Sequence, residues 1–202
     1  MVDYEDTLLI VGGTGFIGKH FANKAVDRGY DVSIISLHDP NSTESIEGVK
    51  YYQVNICNFE EIKKILPINK YECVVNLGGY GDHSEYLDGG KEVIDSHYSG
   101  VVNLINFLDW SILKNFIQIG SSHEYGESPA PQNEMMREQP SSPYSFGKVS
   151  ITHFLQMLGR TEKFPSVILR LFQVYGPGQS DNKFIPIIIN GCLNNEKFDT
   201  TH

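Results

Sequence analysis

Thr7-Leu8-Leu9-Ile10-Val11-Gly12-Gly13-Thr14-Gly15-Phe16-Ile17-Gly18 is the stretch on which the fold turns. Branched apolar residues read as a buried strand, glycines follow at once, and Lys19 to Val26 continues with helical character. A strand that turns directly into a helix over a phosphate needs glycine in three places: for the tight turn, for close approach of backbone to the anion, and for packing of helix on strand. Gly12, Gly15 and Gly18 fill those places at Gly-x-x-Gly-x-x-Gly spacing. The helix start behind them offers unpaired N–H groups and the positive end of its dipole. The stretch therefore predicts a dinucleotide cradle.

Outward from it, short branched runs alternate with longer helix-like segments. Strands are expected at Val32 to Ile35, Tyr51 to Val54, Val74 to Leu77, Phe116 to Ile119 and Val167 to Phe172. Helices are expected at Gly15 to Arg28, Phe59 to Leu66, Glu92 to Trp110, Tyr144 to Leu158 and Phe184 to Leu193. This alternation implies an α/β fold, a Rossmann-type doubly wound parallel sheet with helices on both faces. Residues 1–180 are expected to form this domain and residues 181–202 to begin a second, incomplete one. Between Gly126 and Pro143, four prolines forbid a regular helix or central strand, and a connection of that length usually borders a site or is disordered.

Composition narrows the partners. A formal net charge of -9 gives no basic field to attract nucleic acid. The apolar run Leu8 to Val11 is too short for a signal peptide or membrane span, so no membrane partner and a cytoplasmic protein are expected. Cys57, Cys73 and Cys192 are far apart with no histidine cluster at ligand spacing, and they read as reduced packing residues with no metal.

Tyr144 and Lys148 stand four residues apart on one helix face. A cation near a phenol favours the phenolate and makes the tyrosine a usable proton donor and acceptor. The spacing alone arises readily by chance; the information lies in its position, at the start of a helix behind a proline-rich loop. At the end of the second strand, Ser36 stands where an NAD site normally carries a carboxylate, with Asp39 three residues on. That substitution leans towards NADP, yet no Arg or Lys lies between Ser36 and Val49 to hold a 2'-phosphate. NAD and NADP both stay open.

Gly12 to Gly18, together with Tyr144-Ser145-Phe146-Gly147-Lys148 and the phrase Arg170-Leu171-Phe172-Gln173-Val174-Tyr175-Gly176-Pro177-Gly178-Gln179, resembles the extended short-chain dehydrogenases, the NAD-dependent epimerases, dehydratases and reductases of nucleotide sugars. The resemblance implies a catalytic group of Ser121, Tyr144 and Lys148, with Ser122 as the alternative serine. It also implies that Lys148 hydrogen-bonds the nicotinamide ribose. The cofactor would be met by Gly12, Gly15, Phe16, Ile17 and Gly18 at the turn, by Ser36, Asn55 and Ile56 beside the adenosine, by Leu77 and Gly78 after the fourth strand, and by Tyr144 and Lys148. Asn55 takes the place of a usual Asp.

A sugar nucleotide is the implied substrate and a homodimer a possible assembly. Dehydratases of this kind place an Asp-Glu pair just after the serine or threonine, where this chain has Ser122 and His123, so an epimerase or reductase is favoured over a 4,6-dehydratase. Other readings are a non-catalytic dinucleotide-binding module, an inactive remnant, and a small-ketone reductase. His97 stands where relatives usually have Asn and reads more readily as a packed structural residue than as a phosphate contact or proton relay; His83 and His123 receive no role. Family enzymes continue for roughly another hundred residues, so the chain is expected to stop before its substrate domain is complete.

Overall fold

The structure, a computed structural model, describes residues 6–38, 45–68, 70–81 and 84–196; Asp39, His83 and the last six residues lie outside them. Six strands, β1 (Thr7–Val11), β2 (Asp31–Ser36), β3 (Lys50–Gln53), β4 (Cys73–Asn76), β5 (Asn115–Ser121) and β6 (Ser166–Leu171), form one sheet in the order β3-β2-β1-β4-β5-β6. Every pairing is parallel, and Leu8 of β1 lies opposite Val32 on one side and Cys73 on the other. A parallel sheet covered on both faces makes continuous apolar strands, which is why β1 and β2 read as unbroken runs and not as alternation.

Helices α1 (Phe16–Asp27), α2 (Phe59–Ile65), α3 (Lys91–His97), α4 (Ser99–Phe107) and α5 (Pro143–Thr161) connect the strands. Ala22 and Ala25 of α1 pack with Leu8, Ile10, Val32, Ile34 and Val75 in one core layer. Val101, Leu104 and Ile105 of α4 and Ile151 and Leu155 of α5 pack with Leu9, Val74 and Phe116 in the other. Strand order reverses between β1 and β4, and in open α/β sheets ligands bind beyond the strand ends at such a reversal.

The helix expected over Glu92 to Trp110 is two helices bent at Tyr98 (φ -110°, ψ -68°). The main-chain ladder nevertheless crosses the bend, Tyr98 N–H donating to Ile94 O and Val102 N–H to Tyr98 O, both at 2.9 Å. Residues 126–142 carry no helix or strand. The chain divides into a compact unit ending at Leu171 and a second beginning at Phe172. Within the second, Gln179 N–H closes a turn on Gly176 O, and α6 (Phe184–Asn194) ends at Asn195 in the left-handed conformation.

Candidate active site

The glycine turn is shaped by what a side chain would strike. Gly12 has φ +73°, and a Cβ there would lie 2.9 Å from Gly78 Cα, so the loops after β1 and β4 touch backbone to backbone. At Gly18 a Cβ would collide with Gly12 O, which is the close helix-on-strand approach the spacing implies. Gly13, to which the sequence assigned nothing, is equally constrained: its Cβ would meet the Ile34 side chain at 2.6 Å. A Cβ on Gly15 would have only Gly12 O nearby, at 3.3 Å, leaving the outer side of the turn open to a ligand. Gly15 is also the N-cap of α1, with no side-chain cap and no acidic residue in the first turn. The first N–H groups of α1 therefore have no partner within the helix.

In front of the turn lies a groove of about 270 Å³ along the ends of β1, β2, β3 and β4. Of the residues expected to meet a cofactor, Gly12, Gly15, Ser36, Asn55, Ile56, Leu77 and Gly78 line it, while Phe16, Ile17 and Gly18 of α1 and Tyr144 and Lys148 of α5 do not. Gly79, Tyr80 and Ser96 also line it. At the β2 end, Ser36 Oγ donates to His38 O at 2.7 Å, and Asn55 Oδ1 accepts from Cys57 N–H at 3.0 Å.

Ser121, Tyr144 and Lys148 come together where β5 ends and α5 begins. The start of α5 is fixed by Ser142, whose hydroxyl accepts from Ser145 N–H at 3.2 Å while Ser145 Oγ accepts from Ser142 N–H at 3.0 Å; Pro143 suits the first helical position. Tyr144 thus enters the first turn and Lys148 follows one turn later. Lys148 is buried and donates to Ile119 O at 2.8 Å, with its ammonium 5.7 Å from the Tyr144 ring centre. Two imidazoles stand edge-on to the same phenol, His97 at 5.1 Å and His123 at 5.9 Å. Ser121 Oγ accepts from His123 N–H at 3.2 Å, and the same hydroxyl hydrogen-bonds the Tyr144 phenol.

The electrostatics differ from the simple expectation that lysine lowers the tyrosine. Burial pushes the Tyr144 phenol above its ordinary value, a hydrogen bond with Ser121 pulls it back, and the Glu124 charge adds to the rise. Burial likewise brings the Lys148 ammonium down to about 8, against the pull of Glu124. Burial thus disfavours the charged form of both groups, the phenolate of Tyr144 and the ammonium of Lys148.

Two polar networks hold this cluster, and neither was expected. Glu124 is fully buried and accepts from Ser121 N–H, Thr152 Oγ1 and Arg170 Nε, each at 2.9 Å. Arg170 also reaches Glu138 and lies 4.7 Å from the Tyr125 ring centre. The second network runs between strands: Gly78 N–H donates to Asn76 Oδ1, Asn76 Nδ2 to Gln118 Oε1, and Gln118 Nε2 to Ile119 O, the carbonyl that also receives Lys148. It joins the groove wall to the lysine through buried amides. Among the described residues, no group of three His, Cys, Asp or Glu side chains could hold a metal ion, and no helix is long and apolar enough to cross a membrane.

A model of the NAD dependent epimerase/dehydratase family matches residues 8–201. The chain belongs to this family. Its relatives in the family include a dTDP-D-glucose 4,6-dehydratase of Dictyostelium discoideum, 28% identical over 94% of this chain and 49% of that protein. Another is a bifunctional UDP-glucose and UDP-xylose 4-epimerase of Pisum sativum, 24% identical over 89% of this chain and 55% of that protein. The chain spans about half the length of the curated relatives it matches. Among solved structures, the UDP-glucose 4-epimerase of Thermotoga maritima with UDP-glucose superposes with a TM-score of 0.80 at 24% identity, covering 95% of this chain and 64% of that one. The UDP-glucuronic acid 4-epimerase of Bacillus cereus in complex with NAD gives 0.77 at 23% identity, over 94% and 63%. These likenesses establish the epimerase/dehydratase fold.

Proposed function

We propose that this chain is the dinucleotide-binding part of an NAD(P)-dependent enzyme that moves a hydride to or from a carbinol or ketone carbon of a sugar nucleotide. The observation that carries the reading is the convergence of Ser121, Tyr144 and Lys148 at the strand ends beside a glycine-cradled groove. The open side of Gly15, which a Cβ would fill, fits a pyrophosphate, and Ser36, Asn55 and Ile56 would flank the adenosine. A bound nicotinamide would give or take the hydride. Tyr144 exchanges a proton with the substrate oxygen, and Ser121 donates a hydrogen bond to that oxygen. Lys148 stabilises the phenolate and hydrogen-bonds a ribose hydroxyl. The same reading takes the protein to be cytoplasmic and a homodimer, and sedimentation of the purified chain tests the second of these.

A 4,6-dehydratase is the second reading, since several relatives carry that name. Against it stand Ser122 and His123 where an acid and base would be needed, and the nearby carboxylate Glu124 is engaged on all sides by Ser121, Thr152 and Arg170. Incubation with NAD and UDP- or dTDP-sugars, followed by product analysis, separates the two: a 4-epimer supports the first reading and a 4-keto-6-deoxy product the second. Tyr144→Phe is expected to lower either turnover at least about 100-fold. Equal turnover by this variant would remove Tyr144 from the chemistry. Titration with NAD, NADH, NADP and NADPH decides the cofactor that Ser36 leaves open.

A further inference from the structure

Ser96 and His97 are adjacent at the end of α3, both buried, and both aimed at one residue. Tyr80 N–H donates to Ser96 Oγ at 3.3 Å, and His97 Nε2 lies 2.9 Å from Tyr80 O. A carbonyl can only accept, so Nε2 carries the imidazole proton and Nδ1 keeps a bare lone pair. That Nδ1 is buried with no partner. Ser96 is fixed in turn by donating to Val93 O at 2.8 Å.

The ring is seated between two glycines. At Gly79, with φ +124°, a Cβ would collide with the imidazole, and at Gly147 a Cβ would lie 2.9 Å from His97 Cβ. Gly79 and Tyr80 form the groove wall after β4, whereas Gly147 belongs to the helix of Tyr144 and Lys148. His97 therefore touches both halves of the site: the wall through its polar edge, and Tyr144 through its ring at 5.1 Å. Burial and the Lys148 charge hold the imidazole neutral, down to about pH 3.

We propose that Ser96 and His97 are positioning residues, a two-point clamp on the Tyr80 backbone that fixes the wall of the dinucleotide groove and, through the His97 ring, the place of Tyr144. This rests on the groove taking a dinucleotide. The two residues have separable duties: Ser96 acts on the wall alone, and His97 on the wall and the tyrosine together.

The test uses the 202-residue chain, NADH fluorescence titration, urea unfolding, and the ¹³Cζ resonance of labelled Tyr144 without ligand. Ser96→Ala and His97→Leu are each expected to raise the NADH dissociation constant at least about fivefold, roughly one lost hydrogen bond. Only His97→Leu is expected to move the Tyr144 resonance. His97→Gln, whose amide N–H can still reach Tyr80 O, is expected to restore affinity to within about twofold. A merely structural role would lower the unfolding midpoint and leave the dissociation constant alone. NADH affinity unchanged in both Ser96→Ala and His97→Leu overturns the clamp while leaving the groove reading intact. An immobile Tyr144 resonance in His97→Leu overturns the link to the tyrosine. Absence of NADH binding by the wild-type chain overturns the groove reading and the clamp with it.

Discussion

The glycine turn and the β5–α5 cluster sit beside the same strand ends and are built on opposite principles. The turn is almost entirely backbone: Gly12, Gly13, Gly15 and Gly18 shape it by lacking side chains, and their closest neighbours are one another, Gly78 and Ile34. The cluster consists of buried polar side chains drawn from segments far apart in sequence, as in Lys148 to Ile119, Arg170 to Glu124 and Asn76 to Gln118. A void is cheap to maintain, whereas a buried charge must be surrounded by partners. The lesson is that the shape of the turn is stored here in local sequence and that of the cluster in long-range contacts, and substitutions in the two regions should behave differently.

The largest effect is expected from Glu124→Ala. It leaves the Arg170 guanidinium, itself only slightly exposed, without one of its two carboxylates, and strips Ser121 N–H and Thr152 of their acceptor. Breaking a buried pair from one side costs about 3–5 kcal/mol, so urea unfolding should show a loss of that order. Gly15→Asp, in the turn, should cost less than about 1 kcal/mol by the same measurement, because the added Cβ would meet a single neighbour, Gly12 O at 3.3 Å. Similar losses in both variants would break the contrast.

Next in size is Lys148→Met, which is expected to stabilise the chain at neutral pH by about 1–3 kcal/mol while abolishing catalysis. The Ile119 carbonyl keeps Gln118 as a donor after the lysine is gone. Burial lowers Lys148 from an ordinary 10.5 to about 8, so between those values the unfolded chain binds the proton more tightly than the folded one. Wild-type stability should therefore gain from this residue as pH rises through that window, and the advantage of the variant should fade there. Unfolding curves at neutral pH and near pH 11 compare the two.

The remaining effect, read as a slope per pH unit, is that of His97 in acid. Its folded value of about 3 lies below the ordinary 6.5, so its contribution is complete above 6.5 and drains away as pH falls towards 3. The slope is about 1.4 kcal/mol per pH unit. His97→Leu should flatten the stability profile between those values relative to wild type, whatever its absolute stability at pH 7. An unchanged slope would mean that the imidazole is not held neutral.

What could be read from sequence follows the same division. The glycine spacing, the strand runs and the Tyr144–Lys148 pair are local patterns, and the sheet order follows once the fold class is recognised. The bend at Tyr98 left no mark, because the apolar spacing runs on through it and the hydrogen-bond ladder does too. Ser121-Ser122-His123-Glu124 has the pattern of a capping box, and Glu124 does accept from Ser121 N–H; that signal could have flagged the carboxylate. Nothing in the pattern announces that Arg170 meets it. The phenol was expected to be lowered by its lysine, yet burial dominates, and burial is not a local property.

The most direct measurement is calorimetric titration of the 202-residue chain with NADH and NADPH, beside Gly15→Asp. Saturable binding by the wild type, lost in a variant whose unfolding midpoint is unchanged, is the result expected if the glycine turn cradles a dinucleotide. Equal binding by both proteins, or none by a folded wild type, would contradict that claim.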